Sequence, residues 1–142
     1  MKRFEFLEHT ADIYIASYGR DFKEALENAA TALFEVMTDT EKVSPSVVRE
    51  IEAEGHDEKS LLYDWLEKLI IEFETEGLLF SKFEVYELRK RDGSLSLKAK
   101  AFGEPFDPSK HVQKVGVKAI TYHQMEVSRE DGLTILKFIL DI

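Results

Sequence analysis

The last ten residues, Leu-Thr-Ile-Leu-Lys-Phe-Ile-Leu-Asp-Ile, constrain the fold more than any other part of this chain. Successive side chains of a strand point to opposite faces. One face of 133–142 then carries Thr134, Leu136, Phe138, Leu140 and Ile142, and the other carries Leu133, Ile135, Lys137, Ile139 and Asp141. Both faces are mostly apolar, so the strand is expected to be covered on both sides. Chain ends are usually frayed and polar. This one finishes inside an apolar strand, so Asp141 and the terminal carboxylate of Ile142 are expected to be held in place.

The other elements must flank that strand. Residues 13–18 are β-prone and Gly19 ends them. A helix is expected over 21–38, with Asp21 as N-cap and Glu24 completing a capping box. Phe22, Leu26, Ala29, Leu33, Val36 and Met37 recur at helical spacing. Residues 44–54 read as a strand. Asp57 or Ser60 caps a second helix running to Glu76, whose inner stripe is Leu62, Trp65, Leu66, Leu69, Ile70 and Phe73, and Gly77 closes it. Segments 78–91 and 94–102 form a hairpin about Asp92-Gly93. Gly103-Glu104-Pro105 reads as a turn that opens an irregular stretch over 103–116, and a segment of that length inside a small domain is usually functional or mobile. Two last strands, 117–128 and 133–142, meet at a turn over Glu130-Asp131-Gly132. Grouped strands with two helices indicate an α+β fold with a largely antiparallel or mixed sheet.

The length of 142 residues suits one domain, and a chain near this size buries roughly two-thirds of its unfolded surface. There is no cysteine, hence no disulfide, thiolate metal site or thiol nucleophile. The start lacks the apolar core of a signal peptide, and no segment reaches membrane-spanning length, so a cytoplasmic location is expected. A net charge of −9 argues against strong direct binding of nucleic acid.

The C-terminus supplies the chemical candidates. Asp12 opens the first clear strand after a turn-like His9-Thr10-Ala11. If the first and last strands are neighbours, Asp12 meets Asp141 and the Ile142 carboxylate. Carboxylates held close repel unless a cation compensates, and three hard oxygens suit Ca²⁺, Mg²⁺ or Mn²⁺ better than zinc. Spacing alone also allows a plainer arrangement, with Asp12 capping a turn and Asp141 solvated at an edge. Lys110, His111 and Lys114 form a second group, an anion or partner contact on one reading and solvated loop charges on the other. His9, His56, His111 and His123 share no metal-ligand spacing. No dinucleotide fingerprint, phosphate loop or nucleophile elbow is present. Without a general base or nucleophile beside the carboxylates, a self-sufficient metal-dependent hydrolase is disfavoured.

Four segments together resemble the archease family: Glu-His-Thr-Ala-Asp-Ile at 8–13, Gly-Glu-Pro-Phe-Asp-Pro-Ser-Lys-His at 103–111, Val-Lys-Ala-Ile-Thr-Tyr at 117–122, and the terminal Leu-Asp-Ile. The resemblance runs end to end and implies one archease-like domain over 1–142. Archeases assist RtcB-type RNA ligases, which act in tRNA splicing and RNA repair. It therefore implies an activator rather than an enzyme, one that promotes the metal- and GTP-dependent guanylylation and multiple turnover of such a ligase. The implied metal residues are Asp12, Asp141 and Ile142, with calcium, manganese or magnesium as the divalent ion. The implied basic functional residue is Lys110, with Lys118 as second choice. Further partners among tRNA-modifying enzymes are also implied. The alternative is a chaperone-like module for tRNA-processing enzymes, with an exposed apolar groove and incidental carboxylates.

Overall fold

Caps and turns set most of the element boundaries. The structure, a computed structural model, describes residues 1–8 and 11–142. In chain order the elements are β1 (Phe4–Leu7), β2 (Ile13–Gly19), α1 (Phe22–Met37), a 3₁₀ turn (Thr40–Lys42), β3 (Val47–Gly55), α2 (Glu58–Glu76), β4 (Leu78–Arg91), β5 (Ser94–Pro105), β6 (Ala119–Glu130) and β7 (Leu133–Asp141). Asp21 caps α1 by accepting from the Glu24 backbone N–H at 2.8 Å. Glu24 does not complete the expected box. Its carboxylate accepts instead from the Arg20 backbone N–H at 2.8 Å and grips the Arg20 guanidinium. The reciprocal box forms on α2, where Asp57 and Ser60 each accept from the other's backbone N–H. Gly77 ends α2 in the left-handed region, at φ 66°. At the last turn both Asp131 and Gly132 take positive φ, which matches the twist of a two-residue hairpin.

The α+β expectation holds, and the strands divide into two sheets in which every pairing is antiparallel. The first has the order β1-β2-β7-β6 and the second β3-β5-β4. The helices lie between them. A helix that is apolar nearly all round needs cover on more than one side, and α1 is buried from Phe22 to Met37 except at four positions. It packs on β2 and β7 of the first sheet and on β4 of the second, while α2 packs on β3 and β6. Alanines 25, 29, 30 and 32 of α1 are fully buried and allow close approach to both sheets. Trp65 of α2 donates its indole N–H to the Leu26 carbonyl at 2.9 Å, which joins the helices and satisfies a buried donor. Trp65, Phe34, Phe80 and Phe138 are the largest fully buried side chains, each contributing roughly 2–3 kcal/mol by burial. The outer face of the second sheet is charged. Lys98 and Lys100 of β5 stand between Glu52 and Glu50 of β3 and Glu87 and Glu84 of β4, so opposite charges face each other across strands.

The C-terminal strand β7 lies in the middle of its sheet. Thr134, Leu136, Phe138 and Leu140 are buried in the core. On the other face Ile139 is also buried, while Leu133, Ile135, Lys137 and Asp141 are half-buried, so cover there is partial. Three expectations change. Gly103-Glu104-Pro105 is not a turn but the end of β5, paired with Phe80, Leu79 and Leu78. A Cβ at residue 103 would lie 1.8 Å from the Leu79 carbonyl oxygen, and only glycine permits that approach. β1 adds a strand beside β2 that periodicity does not reveal in four residues. β6 starts at Ala119 and carries a bulge, with six residues from Thr121 to Glu126 set against three, Ile139 to Lys137, on β7. The bulge pushes Tyr122 out to stack on Tyr63 of α2 at 4.2 Å, while Met125 is buried.

Candidate functional site

β2 and β7 are neighbours, and their register ends with Ile13 opposite Leu140. Asp12 precedes β2 by one residue and Asp141 is the last residue of β7, so each lies one residue beyond that final pair. Both residues are half-buried, as is Ile142. On the other side of β7, Asp141 pairs with Ala119, and the Lys118 backbone N–H donates to the Asp141 carbonyl at 2.8 Å. Lys118 is thereby fixed by its main chain beside Ile142, with an exposed side chain. Asp12, Asp141, Ile142 and Lys118 therefore gather at one strand end. Among the described residues no group of three or more His, Cys, Asp or Glu side chains is placed to hold a metal. His9 and Thr10, which the sequence reading placed near Asp12, lie outside the described residues.

Residues 106–118 connect β5 to β6 across the C-terminal end of α1. The last carbonyls of a helix have no partners within it. Here the loop supplies them, since Lys114 N–H donates to the Met37 carbonyl at 3.0 Å and Val115 N–H to that of Val36 at 3.3 Å. The Lys114 ammonium donates to the Glu35 carbonyl at 3.2 Å and pairs with the Glu35 carboxylate at 3.4 Å, a favourable charge for a helix C-terminus. Thr38 Oγ1 donates to the Val112 carbonyl at 2.8 Å. Lys114 is thus a fastening of the loop to α1, not a free loop charge. From Val115 on α1 to Lys118 on β7, three residue steps span at most about 11 Å. The loop and the carboxylates therefore share one end of the molecule.

The same loop carries Lys110 and His111, and both converge on Glu104. The Lys110 ammonium pairs with Glu104 Oε2 at 2.7 Å and donates to Ser44 Oγ at 3.0 Å. The Ser44 backbone N–H donates to the same Oε2 at 2.8 Å, and His111 Nε2 lies 2.9 Å from it. Asp107 N–H donates to His111 Nδ1 at 2.9 Å, so the ring proton sits on Nε2 and points at Glu104. The His111 side chain is fully buried, stacked near Phe106. Glu104 is consequently held at about 2, well below the usual carboxylate range. The Lys110 hydrogen bond is the largest cause, followed by the Ser44 N–H and His111. Sequence reasoning selected Lys110 and His111 but missed Glu104 and Ser44. Glu104 stood inside the quoted 103–111 segment, yet its Ser44 partner is 60 residues away and leaves no local signal. Under the same loop, Met37, Phe73, Leu79, Phe106, Val112 and Val115 line a largely apolar groove, and Val112 and Val115 are exposed.

Two helices between two antiparallel sheets, with an acidic strand end beside an ion-paired lysine loop, define a small α+β protein of β/α/β layering. A model of the archease protein family (MTH1598/TM1083) matches residues 4–142. A protein archease from Sulfurisphaera tokodaii is 51% identical over the whole of both chains. The solution structure of Methanobacterium thermoautotrophicum protein 1598 superposes with a TM-score of 0.88 at 46% identity, covering all of both chains. A Thermotoga maritima protein described as an archease and possible chaperone shares the fold, with a TM-score of 0.61 at 19% identity over 97% of this chain and 96% of its own. The chain belongs to the archease family, a family of accessory proteins. Among the described residues no helix is long and apolar enough to cross a membrane.

Proposed function

We propose that this chain is a protein cofactor of an RtcB-type RNA ligase, acting in the cytoplasm in tRNA splicing and RNA repair. In this reading it promotes the ligase's metal- and GTP-dependent guanylylation and its multiple turnover. The observation that supports the reading, beside membership of the family, is the β2–β7 pairing of Ile13 with Leu140, the residues next to Asp12 and Asp141 in the chain. The donor set fits a divalent metal such as manganese, magnesium or calcium, because it offers only hard carboxylate oxygens. Asp12, Asp141 and the Ile142 carboxylate would hold the ion, which when bound supplies positive charge for nucleotide phosphates. Lys110, at the same end, offers its ammonium to an anionic group of the ligase or its nucleotide, and Lys118 is the second candidate for that role. The net charge of −9 suits a partner that leaves RNA binding to the ligase.

The test is multiple-turnover ligation by an RtcB-type ligase with and without this chain, alongside calorimetric titration with Mn²⁺. Sub-stoichiometric amounts of the chain are expected to raise turnover. Asp12→Ala and Asp141→Ala are each expected to lose both Mn²⁺ binding and stimulation, and full stimulation by either variant sinks the reading. A second reading, a chaperone-like module for tRNA-processing enzymes, is favoured by the apolar groove at the same end. It predicts that polar substitutions at Val112 and Val115 abolish stimulation while Asp141→Asn preserves it.

A further inference from the structure

We propose that Glu104 is the positioning residue of Lys110, fixing where its ammonium is offered to the partner; this rests on the reading of Lys110 as the functional cation. One oxygen of Glu104 receives Lys110, the Ser44 backbone N–H and His111 Nε2, all at 2.7–2.9 Å. Two of those donors are immobile. One is main chain, and the other is a fully buried imidazole whose far nitrogen is held by the Asp107 N–H. Oε2 is therefore a fixed negative point beneath a lysine whose side chain is 42% exposed. A lysine ammonium has three donors. Glu104 and Ser44 take two, and the third has no partner among the described residues. Without the anchor, a four-carbon stem carries its charge through many rotamers. With it, the ammonium is held at one place with one donor to offer an anion.

The ion pair is not needed to fasten the loop. Phe106 N–H donates to the Gly77 carbonyl, His111 is bonded at both nitrogens, and Lys114 and Val115 dock on α1. A glutamine at 104 keeps an oxygen for the Ser44 and His111 donors and removes only the charge that attracts Lys110.

The experiment is single-turnover guanylylation of an RtcB-type ligase, titrated with wild type, Glu104→Gln, Glu104→Asp, Lys110→Ala and the Glu104→Gln/Lys110→Ala pair. Thermal midpoints and Mn²⁺ titrations of each variant accompany it. Glu104→Gln is expected to lower the plateau rate by about tenfold or more, as misplacement of a reacting group does. Its half-saturating concentration and Mn²⁺ affinity are expected to stay at wild-type values. Glu104→Asp, which keeps the charge, retains more of the plateau. The double variant is no worse than Lys110→Ala, because Glu104 acts only through Lys110. A wild-type plateau for Glu104→Gln while Lys110→Ala fails overturns this inference alone, and so do multiplying losses in the double variant. A wild-type plateau for Lys110→Ala overturns it together with the assignment of Lys110.

Discussion

At Glu104 the charge sits where three donors meet, and this has a consequence for acid stability. Its carboxyl is held at about 2, against an ordinary value of 4.5. A group whose folded pKa is depressed stabilises the fold fully above its unfolded value and loses that contribution as pH falls through the folded one. The wild type is therefore expected to lose stability between about pH 4.5 and pH 2 through Glu104, and Glu104→Gln to lose less over that window. Urea midpoints of both proteins across the window measure the difference; parallel profiles contradict it. The residues of the site were unequally legible. Asp12 and Asp141 could be selected because they flank apolar strands, and the structure shows those strands, β2 and β7, to be neighbours. Lys110 and Lys114 looked alike in sequence, as cations of one loop. The structure separates them, since Lys114 neutralises the end of α1 while Lys110 leans on Glu104.

At the scale of elements, local chemistry was readable and sheet membership was not. The ends of α2 follow from Asp57, Ser60 and Gly77, all within a few residues of the boundaries they set. Asp57→Ala removes the acceptor of the Ser60 N–H and is expected to cost about 1 kcal/mol, seen as a lower urea midpoint with unchanged slope. A midpoint equal to wild type contradicts the capping account. The division into two sheets depends on which strand each helix face covers, which is long-range information. The apolar girth of α1 was the available hint, because a helix buried all round needs a layer on each side. β1 is too short to show a period. The β6 bulge exists because the edge strand must reach α2 with Tyr122 and still keep register with Leu136 and Ile139, and no residue near 122–125 announces it.

At the scale of the whole molecule, topology places the start of β2, the end of β7, the end of α1 and the 106–118 loop at one end. The turn of the β4–β5 hairpin, at Asp92-Gly93, lies at the opposite end of those strands from Leu79 and Glu104. The family resemblance assigned a purpose to that end, and the physical reading of the chain located the same residues, Asp12 and Asp141, independently of it. The central claim is that this acidic end, and not the apolar groove beside it, makes the protein an activator. Asp141→Asn separates the two, since it keeps the shape of the strand end and removes one charge. The direct measurement is the single-turnover guanylylation rate of an RtcB-type ligase with Mn²⁺ and GTP, in the presence of saturating wild type or Asp141→Asn. The account predicts that the substituted protein, folded with a wild-type thermal midpoint, no longer raises the rate. Stimulation equal to wild type by Asp141→Asn would contradict it.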